Sequence, residues 1–489
     1  MGLDPIDYAI IAVYLVGVAW IGTRIGGRQQ SSRDYFLGGR ALPWWAVGLS
    51  VVASETSTLT FISVPGLAYQ GNLHFLQLAF GYLAGRCLVA LFFIPAYYRG
   101  ELETAYDFIG RRFGLPLRRL TSSVFIVTRV LASGVRLFAS AIPLHLITGL
   151  SYPASILLIG VFTLVYTYMG GLKAVVAMDV VQTFIYLAGA GVAMALILNH
   201  LPHGWQDVVR FSTASGADKL SLLNPYGGSG LTEWLTSPYT LTGSLLGGVF
   251  LTMASHGTDQ LLVQRLLACK TARESQRALL LDAAVIVLQF AFFLMLGLCL
   301  FAFYGGADVT QLGLKSPDQV FPKFIVEQLP SGLAGLVIAG VLASAMGTLS
   351  SAISSLASSS YLDLFCLSVR ARGFSPRQEM FWSRTFTLFW GLALIGGAML
   401  FTDTRNPVVE LGLRIASVTY GSLLGIFFLG LLSRRPRPGD ALAGFLAGIL
   451  AMALVLTLTR VDYTWHTLIG CLVTVGVGQA RARLGRLTE

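Results

Sequence analysis

The chain is short of charge. Asp, Glu, Lys and Arg make up 12% of its 489 residues and 55% are hydrophobic, whereas roughly a quarter of a soluble domain is charged; a water-soluble main body is excluded. Cysteine is sparse as well. Of the five, Cys87, Cys299, Cys366 and Cys471 lie in apolar runs and Cys269 follows a basic stretch, so neither spacing nor setting points to disulfides or a thiolate metal site. The N-terminus lacks the basic flank and small-residue cleavage site of a signal peptide. Asp4 and Asp7 precede the first apolar run and arginines follow it, so that run is expected to remain as a span with the N-terminus outside. No linker or low-complexity tract divides the chain, and the sizeable polar pieces, about 199–236 and 305–330, leave no room for a separate catalytic domain. With no convincing metal or nucleophile constellation either, an enzyme is not expected.

What the chain has instead is apolar runs, each near the ~20 residues that a helix needs to cross the hydrocarbon core. Thirteen are expected to span, at about 5–25, 44–69, 73–98, 120–149, 153–169, 174–198, 237–262, 278–304, 331–362, 381–402, 407–432, 440–458 and 463–480. Basic residues test this topology independently, because short cytoplasmic loops accumulate Lys and Arg. Of the 34, alternate segments starting after the first run hold 24, Arg265 among them, the other segments hold 6, and Arg86, Arg129, Arg136 and Arg414 fall inside spans. A wrong span count would mix the two populations. The N-terminus is therefore expected outside and the C-terminus in the cytoplasm of a cell (inner) membrane. The net charge of +10 is accounted for by this bias and calls for no nucleic-acid partner, and nothing points to an obligatory protein partner.

One transporter domain fills the chain. Five spans from 44 to 198 and five from 237 to 432 would form two halves, inverted because each has an odd number, with one span before them and two, at 440–480, after. Such halves build a binding site where corresponding helices break near the midplane. The first run of each half carries a polar interruption: Ser54-Glu55-Thr56-Ser57-Thr58 in one, Ser255-His256-Gly257-Thr258-Asp259 in the other.

Sodium wants hard oxygens, which a membrane protein supplies from carbonyls freed at a helix break and from nearby hydroxyls or a carboxylate. Carbonyls come from the break at 53–58. Hydroxyls are plentiful in "LASAMGTLSSAISSLASSS" (342–360), where Ser344, Thr348 and Ser351 share a face with Ser350 alongside; small residues at this spacing serve close helix packing equally well. Asp179 in "MDVVQTFIY" either faces an ion or is solvated at a cytoplasmic end. Arg129 in "FIVTRVLAS" lies too deep to snorkel easily, so it either clamps a substrate carboxylate or neutralises Glu55. Arg86 and Arg136 suggest no role.

Several stretches, "DYFLGGRALPWWAVGLS" (34–50), "GGLKAVVAMDVVQ" (170–182), "GTDQLLVQR" (257–265), "GLVIAGVLASAMGTLSSAISSLAS" (335–358) and "YGSLLGIFFLGLL" (420–432), together resemble the sodium/solute symporter family, which carries sugars, proline, pantothenate, sialic acid and iodide. The resemblance implies the five-plus-five inverted repeat of the leucine-transporter class and alternating access driven by sodium. It implies a sodium site made by carbonyls of Ala53, Thr56 and Ser344 and by hydroxyls at 347 and 348. Thr348 has one; Gly347 does not, and water or Glu55 would replace it. Asp179 with Ser350 and Ser351 resembles a second sodium site. Around the first break the nearest look is to the sialic-acid branch, which implies that Ser57, Thr60 and Phe75 face the substrate and that Arg129 holds its carboxylate. Glu55 and Ala79 depart from that branch, and an acid at position 55 resembles the proline branch. Thr252, Ser255 and His256 join the pocket from the second half, although a packing role for His256 is open. The expectation is a sodium-coupled symporter of a small polar organic solute bearing a carboxylate; a sugar or polyol symporter, or a proton-coupled or uncoupled carrier on this scaffold, is the alternative.

Overall fold

The computed structural model describes residues 3–27, 29–214, 218–225, 230–369, 374–401 and 408–485, without the side chains of 369 and 408–417. Arg28, Arg370, Arg372, Arg405 and Arg486 of the charge count lie outside the described residues, as does the side chain of Arg414. The described chain is helical throughout. The helices that matter here are α1 (Pro5–Ile25), α2 (Trp44–Glu55), α3 (Thr58–Gln70), α4 (Phe75–Arg99), α5 (Leu115–Thr148), α6 (Tyr152–His200), α7 (Leu241–Gly257), the short α8 (Gln260–Leu266), α9 (Ala272–Phe303), α10 (Leu333–Ser359), α11 (Pro376–Ala398), α12 (Val408–Leu432), α13 (Pro438–Leu458) and α14 (Tyr463–Leu484).

A helix or part of one lies over each of the thirteen apolar runs. Among the described residues seven helices qualify alone as membrane-crossing by length and apolarity, and the bent pair α2–α3 makes an eighth. Two of the runs fall within α6, which is kinked at Gly171 (φ 57, ψ −155). Only glycine reaches that conformation easily, and a Cβ there would also meet the Tyr35 carbonyl oxygen at 2.6 Å.

The core is α10. Nearly all of its residues are buried, and it packs chiefly on α6, with α1 against both. Small residues allow this closeness: Ala, Gly and Ser dominate α10, and van der Waals contact between near backbones is what holds helices together in lipid. The extra helix α1 is pinned by the buried Asp7, which accepts the backbone N–H groups of Gly332 and Gly335 at the start of α10, each at 2.7 Å. At the far end of the chain α12, α13 and α14 pack on one another. The α2–α3 break therefore sits among α6, α9 and α10.

Candidate transport site

Between α2 and α3 the axis turns by 62°, although neither Pro nor Gly stands at the bend. Hydroxyls compete with the backbone here. Thr56 donates its hydroxyl to the Val52 carbonyl (2.8 Å), and the Ser57 N–H, which a continuous helix would aim at the Ala53 carbonyl, goes to the Glu55 backbone carbonyl instead (2.9 Å). The Ala53 carbonyl is thereby released from its helical partner. Thr58 reaches α10, sharing a hydrogen bond with the Ser344 hydroxyl (3.2 Å), while Gln289 of α9 donates to the Thr56 hydroxyl (2.6 Å). The break is thus braced from both sides.

Above it opens a cavity of about 160 Å³. Glu55, Ser57, Thr60, Phe75, Arg129, Thr252 and Ser255 all line it. So do residues that sequence reasoning left without a role or did not raise: Ser63, Tyr82, Arg136, Phe290 and Tyr420. His256 and Ala79 do not; both are fully buried.

Glu55 belongs to a buried charge cluster, and its partner is Arg86, not Arg129. The Arg86 guanidinium pairs with Glu55 and, through Nε, with Asp282 of α9 at 3.1 Å. His256 sets its Nδ1 against the hydroxyls of Thr252 (3.1 Å) and Ser255 (2.9 Å) and faces Glu55 with Nε2 at 3.2 Å. Candidate metal-ligand atoms of Glu55, His256 and Asp282 lie within 4.8 Å of one another, but Arg86 already occupies two of these three side chains. With an unprotonated imidazole and both carboxylates ionised, two negative groups face one guanidinium, and the cluster then carries a surplus negative charge. Glu55, 20% exposed, carries that surplus to the cavity wall.

Arg129 is committed elsewhere. It pairs with Asp259 and bonds the Tyr420 hydroxyl (2.9 Å), which itself donates to Asp259 (2.5 Å). The other oxygen of Asp259 caps α8 through the Leu261 N–H (2.9 Å). The alternative in which Arg129 neutralises Glu55 is corrected: the acid that matches it sits at the second break, 130 residues along the chain.

Asp179 is fully buried, which corrects the solvated-end alternative. Arg265, counted from sequence among the cytoplasmic-loop residues, is buried beside it. It pairs with Asp179 (3.1 Å) and donates to Ser50 (2.9 Å), Ser351 (2.6 Å) and the Leu261 carbonyl (2.9 Å). The group between Asp179 and Ser351 is therefore a guanidinium. Ser351 also donates to Ser54 (2.9 Å) and to the Gly347 carbonyl (2.6 Å), and Ser350 donates to the same carbonyl (3.0 Å).

Only one Asp179 oxygen is used in this network. Oδ1 is buried without a hydrogen-bond partner among the described residues, as are both polar atoms of Gln182 one turn along α6. They converge at Gly347. A Cβ built on Gly347 would lie 3.1 Å from Gln182 Oε1, 3.5 Å from Asp179 Oδ1 and 3.5 Å from the freed Ala53 carbonyl oxygen. Three oxygens with no competing donor around a missing side chain form a cradle of the kind a hard cation fits. Of the other residues expected of a sodium site, the Thr348 hydroxyl donates to the Ser344 carbonyl (3.1 Å). The Thr56 hydroxyl accepts from Gln289 and the Ser344 hydroxyl donates to Val341 (2.8 Å), bonds that do not use the Thr56 carbonyl expected as a ligand.

Against known proteins, residues 35–448 match the model of the sodium:solute symporter family. The chain belongs to the sodium:solute symporter family. The human sodium/iodide cotransporter is 32% identical over 465 residues, covering 94% of this chain and 70% of the relative. The sodium/sialic acid symporter of Proteus mirabilis is 26% identical over 481 residues, 98% of this chain and 95% of that one. A solved structure of a Na+-coupled sialic acid symporter in a substrate-bound outward-open state superposes with a TM-score of 0.88 at 26% identity, over 98% of both chains. Mhp1, a nucleobase-cation-symport-1 transporter, shares the fold alone, with a TM-score of 0.55 at 14% identity over 92% of this chain and 94% of that one. As a symporter of this family the chain is a multi-pass membrane protein that couples a small-molecule solute to sodium, and not an enzyme.

Proposed function

We propose that this symporter carries a small, carboxylate-bearing polar solute into the cell together with sodium, by alternating access around the α2–α3 break. The observation that carries the reading is the shared break. The same few residues release the Ala53 carbonyl toward Gly347 on one side and present Ser57, Thr60 and Glu55 to the cavity on the other. An ion bound by Ala53, Asp179 Oδ1 and Gln182 Oε1 joins the broken helix to α6 beside Gly347 of α10. It stabilises the cavity in the conformation that takes solute, and solute binding raises sodium affinity in return by the same factor. The hydroxyl absent at 347 is then replaced by Gln182 and Asp179, with Glu55 left to the solute side. Of the expected ion ligands Ala53 is retained in this reading; the hydroxyls of Thr56 and Ser344 brace the break, and the Thr348 hydroxyl is used within α10. We propose one sodium, because Asp179 and Ser351 already hold the Arg265 cation and Ser350 donates to the Gly347 carbonyl.

The remaining architecture is part of the same proposal: thirteen spans, repeats at 44–198 and 237–432, the N-terminus outside and the C-terminus in the cytoplasm of an inner membrane. On the arginine-rich side, Asp363 accepts the Thr104 hydroxyl (2.6 Å) and Arg118 Nε (2.8 Å). This ties Thr104, before α5, and the first turns of α5 to the segment that follows α10, and serves as the inner gate. Each sodium entering an inside-negative cell gains ~2.3 kcal/mol per 100 mV. Uptake into proteoliposomes under an imposed sodium gradient, then under a proton gradient, tests the coupling. Accumulation that follows sodium is the expected result, and accumulation that ignores sodium overturns the proposal.

A further inference from the structure

Four of the six strongly charged side chains around the cavity cancel locally and two charges do not. Arg129 and Asp259 neutralise each other, and Arg86 neutralises one of its two carboxylates. With both carboxylates ionised the surplus negative charge falls to Glu55, the one of the two that lines the cavity. The surplus positive charge is Arg136, seven residues or about two turns beyond Arg129 on α5. Among the described residues its guanidinium makes no ion pair and no hydrogen bond, and it lines the same cavity as Glu55. It also lines a smaller space with Ser133, Ser140 and Thr348, which adds hydroxyls but no acid. An arginine within a span is costly and finds a partner or a cavity, and a planar guanidinium matches a carboxylate through two parallel hydrogen bonds.

We infer that the solute is a small zwitterion, its carboxylate held by Arg136 and its cationic nitrogen by Glu55. The inference rests on the sodium-symport reading and deepens it. An anion alone leaves Glu55 unbalanced and a cation alone leaves Arg136 unbalanced, whereas a zwitterion satisfies both and keeps the cavity neutral. Size agrees. A cavity of about 160 Å³ is close to the ~150 Å³ that encloses a benzene molecule, which is room for a solute of the bulk of proline. Arg136 is then the residue that selects the carboxylate, and Arg129 a positioning residue that holds the second break in place.

The test uses the full chain in proteoliposomes on a solid-supported membrane, in sodium and in choline. The probes are alanine, proline, β-alanine and γ-aminobutyrate as zwitterions of differing charge separation, propionate and cyclopentanecarboxylate as the matched anions of the first two, and myo-inositol as a neutral polyol. The expected result is a sodium-dependent current from at least one zwitterion, with an apparent affinity at least tenfold better than for the anions. Arg136→Gln raises the half-saturating concentration of that zwitterion tenfold or more. Arg136→Lys, which keeps the charge, raises it less, and thermal stabilisation by sodium alone persists in both. Currents from anions or inositol alone overturn the inference, as does a sodium-stabilised protein that answers no zwitterion of the set, or an Arg136→Gln protein with unchanged half-saturation. Failure of the symport reading is distinct: sodium then neither stabilises the wild-type protein over choline nor supports current with any solute.

Discussion

Two helix breaks flank the cavity, and each brings a carboxylate. Asp259, at the second, is 1% exposed and has both oxygens used: one pairs with Arg129 and accepts from Tyr420, the other caps α8. Glu55, at the first, shares its guanidinium with Asp282 and is 20% exposed at the cavity wall. The charges at the second break sum to zero and those at the first do not. A buried charge with a matched partner is structural, since removing either partner strands the other in a low-dielectric setting at a cost of several kcal/mol. A buried charge in surplus is a standing electrostatic cost, and a ligand of opposite sign relieves it. The division between scaffold and binding site therefore follows from charge balance at the two breaks, which are otherwise alike in composition.

Breaking the matched pair carries the largest effect. Asp259→Asn keeps the shape and the cap but strands Arg129, so unfolding in detergent is expected to show a loss of about 3–5 kcal/mol. A loss under ~1 kcal/mol would mean that the second break is no more structural than the first. The opposite pattern is expected of Glu55→Gln. It leaves Arg86 and Asp282 as a neutral pair, so stability stays within ~1 kcal/mol of wild type, while solute uptake falls by roughly tenfold to a hundredfold, the worth of a charged hydrogen bond of about 1.5–3 kcal/mol. A Glu55→Gln protein as destabilised as Asp259→Asn would erase the distinction.

This asymmetry was only half legible from sequence. Both breaks were, because clustered hydroxyls and acids in apolar runs contradict a simple span, and α10 was, because its small residues repeat at helical spacing. The pairing was not. Glu55 and Arg129 both lie deep in apolar runs, which left their pairing an open alternative, whereas the real partners, Asp259 for Arg129 and Arg86 with Asp282 for Glu55, are set by which helices pack together. Asp282 lies in the apolar run "ALLLDAAVIVL", and the rule that flagged Asp179 would have flagged it. Gln182 gives no such signal, since an amide in a span raises no charge alarm. Arg265 was misplaced because charge counting assigns residues to loops by hydropathy, and the short helix α8 turns inward with its arginine against Asp179.

The ion side of the first break is sharpened by a neutral substitution. Gln182→Leu keeps bulk, removes Oε1 and leaves the Asp179–Arg265 pair intact. Sodium's half-saturating concentration, read by thermal shift in the absence of solute, is expected to rise about tenfold, equivalent to ~1.4 kcal/mol. An unchanged value would move the ion away from α6 and back toward the hydroxyls of Thr348 and Ser344.

The smallest expected effect is the most local. Where there is room, Gly→Ala stabilises a helix by about 0.4–1 kcal/mol through the unfolded chain, and α10 at Gly347 has helical backbone. The added methyl would nevertheless stand 3.1 Å from Gln182 Oε1 and 3.5 Å from both Asp179 Oδ1 and the Ala53 carbonyl oxygen, in the space that the proposed ion needs. Gly347→Ala is thus expected to leave the protein as stable as wild type or slightly more so in choline, while weakening sodium binding about three- to tenfold, or roughly 0.7–1.4 kcal/mol. Gly347→Ser places the same Cβ but adds an oxygen where the family pattern has one, so it should recover part of what alanine loses. If alanine and serine bind sodium alike, the cradle is not where the ion sits. If alanine alone weakens it, the first break holds sodium on its inner face and solute on its outer one, a pairing of roles that the balanced charges of the second break do not support.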